Sequence, residues 1–344
     1  MGRVVLVTGV SRDLGLRFAR EIATDPAVDR VIGVDIVPPR GDTSDVDFIR
    51  ADIRNPVIAK VIAKEDVDTV VHMSVIATPG GVGGRATMKE LNVIGTMQLL
   101  AACQRAESVQ HLVVKSTTTV YGASSRDPAM FTEEMDPKRT PRTGYSLDAF
   151  EVESYVRGFA RRRPDVRVAT LRAANILGPD VQSPMTQYFR LPVIPTVLGF
   201  DPRLQFLHVD DLVAALRHTT LGDASGTFNV AGDGVIMLSQ ALRRLGRAVV
   251  PLPPFAVGAL GSALRRAGAA DFSPEQLAFL TYGRGVDTVR MRSELGFEPR
   301  FTTEQAFADF AASMPRRVTA PTQVIANPVL EGIGHQLTRG TTGG

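Results

Sequence analysis

The chain has one cysteine in 344 residues, Cys103, and no tryptophan. A lone cysteine excludes an intramolecular disulfide and a cysteine-built metal cluster, so a reducing, cytoplasmic setting is the default expectation. Long apolar runs are missing too. The longest uncharged stretch, 248–264, is interrupted by Pro251, Pro253 and Pro254 and is too short and broken to cross a bilayer. The opening MGRVVLVTG lacks the long apolar core and cleavage signal of a secretory leader. There is also no block of like charge. Lys and Arg number 39 against 36 Asp and Glu, and the arginines are spread among acids, which argues against nucleic acid as a partner.

What remains is a soluble globular composition, 44% hydrophobic and 22% charged, long enough for one large domain or two closely joined ones. RVVLVTG (3–9) reads as a buried strand stopped by glycine. A helical pattern follows through Leu14, Phe18 and Ile22, then a second strand, VIGVD (31–35). The alternation continues with DFIRAD (47–52), a helix near 56–64, DTVVHMS (68–74), a long helix near 87–107, HLVVKST (111–117), a helix from Tyr145 and VRVATLR (166–172). Strands spaced by helices predict an α/β fold, a doubly wound parallel sheet of Rossmann type covered on both faces. Past about residue 176 the rhythm gives way to proline-rich loops, with one returning strand, GTFNV (226–230). The reading is a dinucleotide-binding domain over 1–175 with a returning segment near 205–232. A smaller C-terminal substrate-binding region (176–320) and a flexible tail (321–344) complete it.

TGVSRDLG (8–15) joins the first strand to the first helix, where a glycine turn lets backbone N–H groups and a helix N-terminus meet a pyrophosphate. Gly9, Ser11, Arg12, Asp13, Leu14 and Gly15 form that loop. Asp35 ends the next strand, 20 residues after Gly15. An acid there can accept hydrogen bonds from both adenosine ribose hydroxyls and repels a 2′-phosphate, which favours NAD over NADP. Arg12 keeps NADP as the minority alternative, because a guanidinium could grip a 2′-phosphate. The bland alternative is a tight turn without a ligand.

The ordered motifs resemble the extended short-chain dehydrogenases/reductases, in the group of NAD-dependent epimerases and dehydratases acting largely on nucleotide sugars. The resemblance spans about residues 3–312. VLVTG with Gly9 and Gly15 is similar to the family's TGxxGxxG loop, and ADIRNP (51–56) to its adenine-contacting turn, implying that role for Asp52 and Ile53. VVHMSV (70–75) is similar to the strand that ends H-x-A-A against the cofactor, implying Met73, Ser74 and Val75. ELNVIGTMQLLAAC supplies the family's helix asparagine as Asn92, and KSTTTVYG (115–122) its hydroxyl-bearing segment with Thr117. LRAANILGP (171–179), FLHVDDLVAAL (206–216) and ELGFEPRFTTEQA match further family segments. The resemblance implies that Tyr145 is the acid/base, exchanging a proton with a substrate hydroxyl while hydride moves at the nicotinamide.

Three departures stand out. Arg12 replaces the middle glycine of the phosphate loop, and Ser74 and Val75 replace the tandem alanines. The family's Tyr-x-x-x-Lys reads Tyr145-Ser-Leu-Asp-Ala149, although an acid remains at Glu153. A free phenol has a pKa of about 10, so a nearby cation is needed to make phenolate available at neutral pH. Lys115, two residues before Thr117 on one strand, shares its face and is the candidate surrogate. A solvated lysine at a strand end is the bland alternative.

Asn175 and Arg203 are the substrate candidates, Arg203 standing near where related enzymes contact a nucleotide diphosphate. His208, Asp210 and Asp211 are metal-ligand types, but this segment braces the family fold and no metal is expected. Three functions stay open: a nucleotide-sugar epimerase or dehydratase-like enzyme, a non-catalytic NAD-binding sensor or scaffold, and an oxidoreductase on a small carbonyl or sterol-like alcohol. The expected partner is a small molecule, with no membrane role. The resemblance adds a possible homodimer through the helices near 87–107 and 145–162, using Leu99, Leu100, Val152 and Tyr155.

Overall fold

Strands form where β-branched apolar runs are bounded by turn residues, and helices form where the apolar period lengthens. A computed structural model describes residues 2–73, 84–137, 144–253, 256–257 and 273–314. Ser74, Val75, most of the apolar segment near 255–264 and the tail from 315 lie outside the described residues.

The chain runs β1 (Arg3–Thr8), α1 (Asp13–Ala23), β2 (Val28–Asp35), β3 (Asp47–Arg50), α2 (Val57–Lys64) and β4 (Thr69–His72). Helix α3 (Arg85–Lys89) passes through a wide turn, Glu90–Ile94, into α4 (Gly95–Arg105). Then come β5 (His111–Thr117), α5 (Gly144–Arg162), β6 (Arg167–Ala173), β7 (Asn175–Leu177) and α6 (Pro184–Arg190). Then follow β8 (Val193–Val197), β9 (Arg203–Leu204), β10 (Phe206–His208), α7 (Val209–Leu221), β11 (Gly226–Val230), β12 (Ile236–Met237), α8 (Leu238–Leu245), β13 (Ala248–Leu252) and β14 (Gly283–Arg284), and after them two further helices, Val289–Ser293 and Thr303–Ala312. A helix, Pro274–Tyr282, leads directly into β14.

Seven strands make one parallel sheet in the order β11-β6-β5-β4-β1-β2-β3. Its centre is apolar on both faces: Val5, Leu6 and Val7 are fully buried although they point alternately up and down. One face packs on Phe18 and Ile22 of α1 and Leu212 and Leu216 of α7. The other packs on Ile58 and Ile62 of α2, Leu99 and Leu100 of α4, and Val152 and Phe159 of α5. This is the doubly wound Rossmann-like α/β fold.

The chain builds outward from β1 to β3, then returns to place β4, β5 and β6 on the other side of β1. Connections on the two sides therefore diverge at the carboxyl ends of β1 and β4, which opens a crevice there. The returning segment supplies β11, whose Gly226–Val230 pairs with Ala169–Ala173 of β6. The described chain up to Ser313 forms one compact unit.

Candidate active site at the carboxyl ends of the strands

A cleft of about 1630 Å³ opens at these strand ends, lined by both the β1–α1 loop and the Thr117–Tyr145 region. That is ample for a dinucleotide plus a small substrate, since drug-sized sites are roughly 300–1,000 Å³. Gly9, with φ of 84°, turns the chain out of β1 in a conformation that favours glycine. Gly15 lies so close to the Gly9 carbonyl that an added β-carbon would overlap it. The first turn of α1 has no side-chain cap. Its N–H groups are therefore left for an anion, as a pyrophosphate site requires.

The Asp35 carboxylate stands on the cleft wall beside the β1–α1 loop. It accepts from the Ser11 N–H at 3.0 Å, the Ser11 hydroxyl at 2.6 Å and the Ile36 N–H at 2.7 Å. Ile53 lines the same wall, and Met73 is held from the β4 side by an N–H bond to the Thr8 hydroxyl at 3.2 Å. Asp52 is engaged by Arg54, which donates from Nη2 at 2.6 Å and holds the carboxyl below its ordinary range. Asp52 is not among the residues lining the cleft. Asn92 is fully buried and donates to Asp148 at 3.1 Å, so it braces α5 from behind the cleft wall.

Arg12 stands at the mouth of α1, half-buried, and its guanidinium makes no hydrogen bond or ion pair among the described residues. Asp35, Tyr145 and Lys115 all lie within its electrostatic reach. Lys115 and Thr117 both line the cleft from β5. Burial, and then Arg12, bring the Lys115 ammonium down to about 8. The Thr117 hydroxyl neighbours the Tyr145 phenol and meets the hydroxyl of Thr119 at 2.9 Å. Burial raises the phenol well above its usual range, Asp148 and Glu275 add to that, and Thr117 and Arg12 oppose it.

The surroundings of Tyr145 show what has replaced the lysine. Ala149 is 1% exposed and belongs to the core. Asp148 is clamped by Arg85, which donates at 2.6 Å to each carboxylate oxygen. Glu153, the acid further along α5, is a structural strut. It receives Nη2 of Arg172 at 2.7 Å and the Ser116 hydroxyl at 2.6 Å.

Two charged residues of the cleft were missed by sequence reading. Glu275, at the start of the helix Pro274–Tyr282, accepts from the Ser146 N–H at 3.3 Å, while its Oε1 is buried without a partner among the described residues. Burial raises its carboxyl. Arg284, on β14, is 9% exposed; its Nε donates to the Gly122 carbonyl at 3.0 Å and its Nη1 has no partner among the described residues. Burial lowers this guanidinium to about 10. Neither is announced by a local motif in the sequence. Of the two substrate candidates, Asn175 lines the cleft, whereas Arg203 is exposed on β9 and is not among the lining residues. Strand β9 pairs directly with β14, so the guanidinium delivered to the cleft comes from the neighbouring strand.

Among the described residues, no group of three or more His, Cys, Asp or Glu could hold a metal ion. His208 meets Asp309 at 3.1 Å, and Asp211 accepts from the Arg300 and Phe301 N–H groups, each at 2.9 Å. These are braces between segments. No helix among the described residues is long and apolar enough to cross a membrane.

The profile of the NAD dependent epimerase/dehydratase family matches residues 5–231, and the chain belongs to that family. An uncharacterised protein of Mycobacterium tuberculosis is 47% identical over 312 residues, covering 90% of this chain and 83% of that protein. Human short-chain dehydrogenase/reductase family 42E member 1 is 30% identical over 225 residues, covering 61% of this chain and 56% of the human protein. Among solved structures, UDP-glucose 4-epimerase of Thermotoga maritima with UDP-glucose superposes with a TM-score of 0.68 at 18% identity, covering 90% of this chain and 98% of that one. A dTDP-glucose 4,6-dehydratase of Bacillus anthracis in complex with NAD gives 0.67 at 19% identity, covering 91% and 96%. At such identities the likeness establishes the fold.

Proposed function

We propose that the protein binds NAD in this cleft and uses it in an epimerase or dehydratase-like reaction on a nucleotide sugar, with Tyr145 as acid/base and Thr117 as its hydroxyl partner. The carrying observation is that the Gly9–Gly15 cradle and Asp35 open into the same cleft as Thr117 and Tyr145. The residues present fit the dinucleotide. Gly9, Leu14 and Gly15 would take the pyrophosphate, Asp35 the adenosine ribose, and Ile53 and Met73 the flanking walls. NAD supplies a reversible hydride acceptor.

This chain's own side chains do the rest. The Tyr145 hydroxyl, steadied by Thr117, would hold or accept the proton of the reacting substrate hydroxyl. Arg284 and Glu275 suit a ligand bearing both an anionic group and hydroxyls, because one offers a spare donor and the other a spare acceptor. Asn175 adds a polar contact on the same wall. We assign substrate recognition to the region after residue 176 and cofactor binding to the part before it. A cytoplasmic setting suits the buried Cys103, whose thiol burial pushes up to about 12.

A homodimer through α4 and α5 would use Ile94, Met97 and Tyr155, which are exposed. Leu99, Leu100 and Val152 are committed to this chain's own core.

The test incubates the full chain with NAD and a panel of UDP- and dTDP-sugars, following products by NMR and NADH by absorbance. Sugar conversion without net NADH supports the proposal, and loss of turnover in Tyr145→Phe assigns the acid/base. The raised phenol and buried Ala149 favour one rival, a non-catalytic NAD-binding protein. NAD binding with no turnover on any sugar would establish that rival. Net NADH formation from a simple alcohol would establish an oxidoreductase instead.

A further inference from the structure

One acidic side chain from the region after residue 176 reaches the turn that carries Tyr145. Glu275 lies at the start of the helix Pro274–Tyr282, whose mouth is capped by the Ser273 hydroxyl, an acceptor for the Gln276 N–H at 3.2 Å. Gln276 also donates to the Met185 sulfur of α6 at 2.9 Å, which ties the helix to its own region. The Glu275 carboxylate then lies over the first residues of α5. Its Oε2 accepts from the Ser146 N–H at 3.3 Å, and a β-carbon on Gly144 would overlap its Oε1. Gly144 has φ of 73°, so both backbone and neighbour require a glycine there. The carboxylate therefore meets the residues on both sides of Tyr145, and Glu275 and Tyr145 line the same cleft.

The charges held at this turn do not cancel. Arg85 donates to the Gly144 carbonyl and to both Asp148 oxygens, at 2.6 Å in each case, and that ion pair is neutral by itself. Glu275 has no ion pair among the described residues, and its Oε1 is buried there without a hydrogen-bond partner. One negative charge is left over at the mouth of α5. Arg284, with its spare donor, is fixed elsewhere, by the bond from its Nε to the Gly122 carbonyl beyond β5. An anionic ligand group suits Arg284, while the part of the ligand that reaches Tyr145 meets a carboxylate.

We propose that Glu275 selects the sugar: it accepts from a hydroxyl of a neutral ring at Tyr145 and disfavours a ring that bears a carboxylate, so the substrate carries a neutral hexose and not a hexuronate. This deepens the functional reading above and rests on it. The bond to Ser146 is long for an N–H donor and Oε1 is unmatched, so a ligand hydroxyl offers this carboxylate a better donor than the fold does. A ligand carboxylate offers none, and like charges in a desolvated cleft repel.

Calorimetry on the full chain compares UDP-glucose with UDP-glucuronic acid, which differ only in the group on the last carbon of the sugar. NADH is present, because it cannot take a hydride from either, and the pH is mildly alkaline, because burial raises the Glu275 carboxyl. The native chain should bind UDP-glucose roughly tenfold or more tightly than the uronate. Glu275→Gln keeps an oxygen for the Ser146 N–H and removes the charge, so the preference should fall to within about threefold through a gain in uronate affinity. Glu275→Asp keeps the charge and should retain most of the preference. Each value is a ratio within one variant, so a general loosening of the site cancels. Native chain that binds the uronate as tightly as UDP-glucose overturns the inference and gives the sign of the cleft to Arg12 and Lys115. A preference unmoved in Glu275→Gln overturns it too, and both outcomes leave the functional reading standing. Binding of neither nucleotide sugar defeats that reading and this inference with it.

Discussion

Behind α5, Glu153 and Arg172 form a pair in which almost every polar atom is used. Arg172 donates to both Glu153 oxygens, to the Tyr121 hydroxyl at 2.7 Å and to the Glu133 carbonyl at 3.1 Å. In front of the same helix, the cleft holds the Arg12 and Lys115 side chains with no bonding partner among the described residues, and Glu275 and Arg284 each with one buried side-chain atom unpaired there. Burying an unmatched charge costs several kcal/mol, so a folded chain tolerates it where a ligand will complete the match. The paired group reads as architecture and the unpaired group as a binding site.

The contrast breaks most visibly if one member of the inner pair is removed. Glu153→Gln leaves the Arg172 guanidinium buried and uncompensated, which should lower unfolding stability by about 3–5 kcal/mol. The double variant Glu153→Leu/Arg172→Met should recover most of that loss, as measured by urea denaturation. A single variant no less stable than the native chain would show that the pair is not architectural.

His72 extends the paired side to a neutral group, whereas His111 keeps one buried ring nitrogen without a partner among the described residues. His72 sits between the Thr8 hydroxyl and the Thr96 hydroxyl, each at 2.8 Å, and burial lowers its pKa to about 4. His111 is lowered to about 4 as well, by burial and by Arg167 and Arg3. Above their unfolded pKa of about 6.5, neither affects stability with pH. Between about 6.5 and 4 the unfolded chain binds these protons and the folded chain does not, so stability falls as pH falls. Each histidine should cost about 2 kcal/mol by pH 5. His72→Asn should flatten that pH slope, and an unchanged slope would remove His72 from the account.

The cleft side responds through ligands. Asp35→Ala should weaken NAD and ADP binding by roughly tenfold to a hundredfold, the scale of lost hydrogen bonds to a charged group. Nicotinamide mononucleotide, which lacks the adenosine, should bind as before. Calorimetry with the three ligands distinguishes this from general loosening of the Ser11 turn, which would weaken all three.

How much of this was legible in the sequence follows the distance over which each signal acts. The parallel sheet was readable because β1, β4, β5 and β6 are apolar runs whose burial on both faces leaves no polar alternation. Gly9, Gly15 and Asp35 were readable because turn, helix mouth and neighbouring strand lie within one βαβ unit. Glu153 was visible as an acid at helical spacing from Tyr145, but its partner Arg172 comes from another strand and fixes a different role. Glu275 and Arg284 reach the cleft from a segment more than a hundred residues after Tyr145, with no local periodicity to announce them. Arg203 looked suitable by type and neighbourhood, yet the pairing of β9 with β14 gives the inward place to Arg284.

Arg284 gives the finest test, because its two consequences have opposite signs. Its Nη1 is buried without a partner among the described residues, and burial already brings the guanidinium down to about 10. Arg284→Met keeps an apolar stem beside Phe279, removes the unmatched charge and loses the bond to the Gly122 carbonyl. Removing the charge offsets losing the bond, so stability should stay within about 1 kcal/mol of native or rise slightly. Binding of an anionic ligand in the cleft should weaken about tenfold or more, the loss of one charge-assisted hydrogen bond. Affinity for free UDP read by calorimetry, beside urea unfolding of the same sample, gives both numbers. A variant that unfolds easily yet binds UDP unchanged would place Arg284 with Arg172, among the charges that hold the fold.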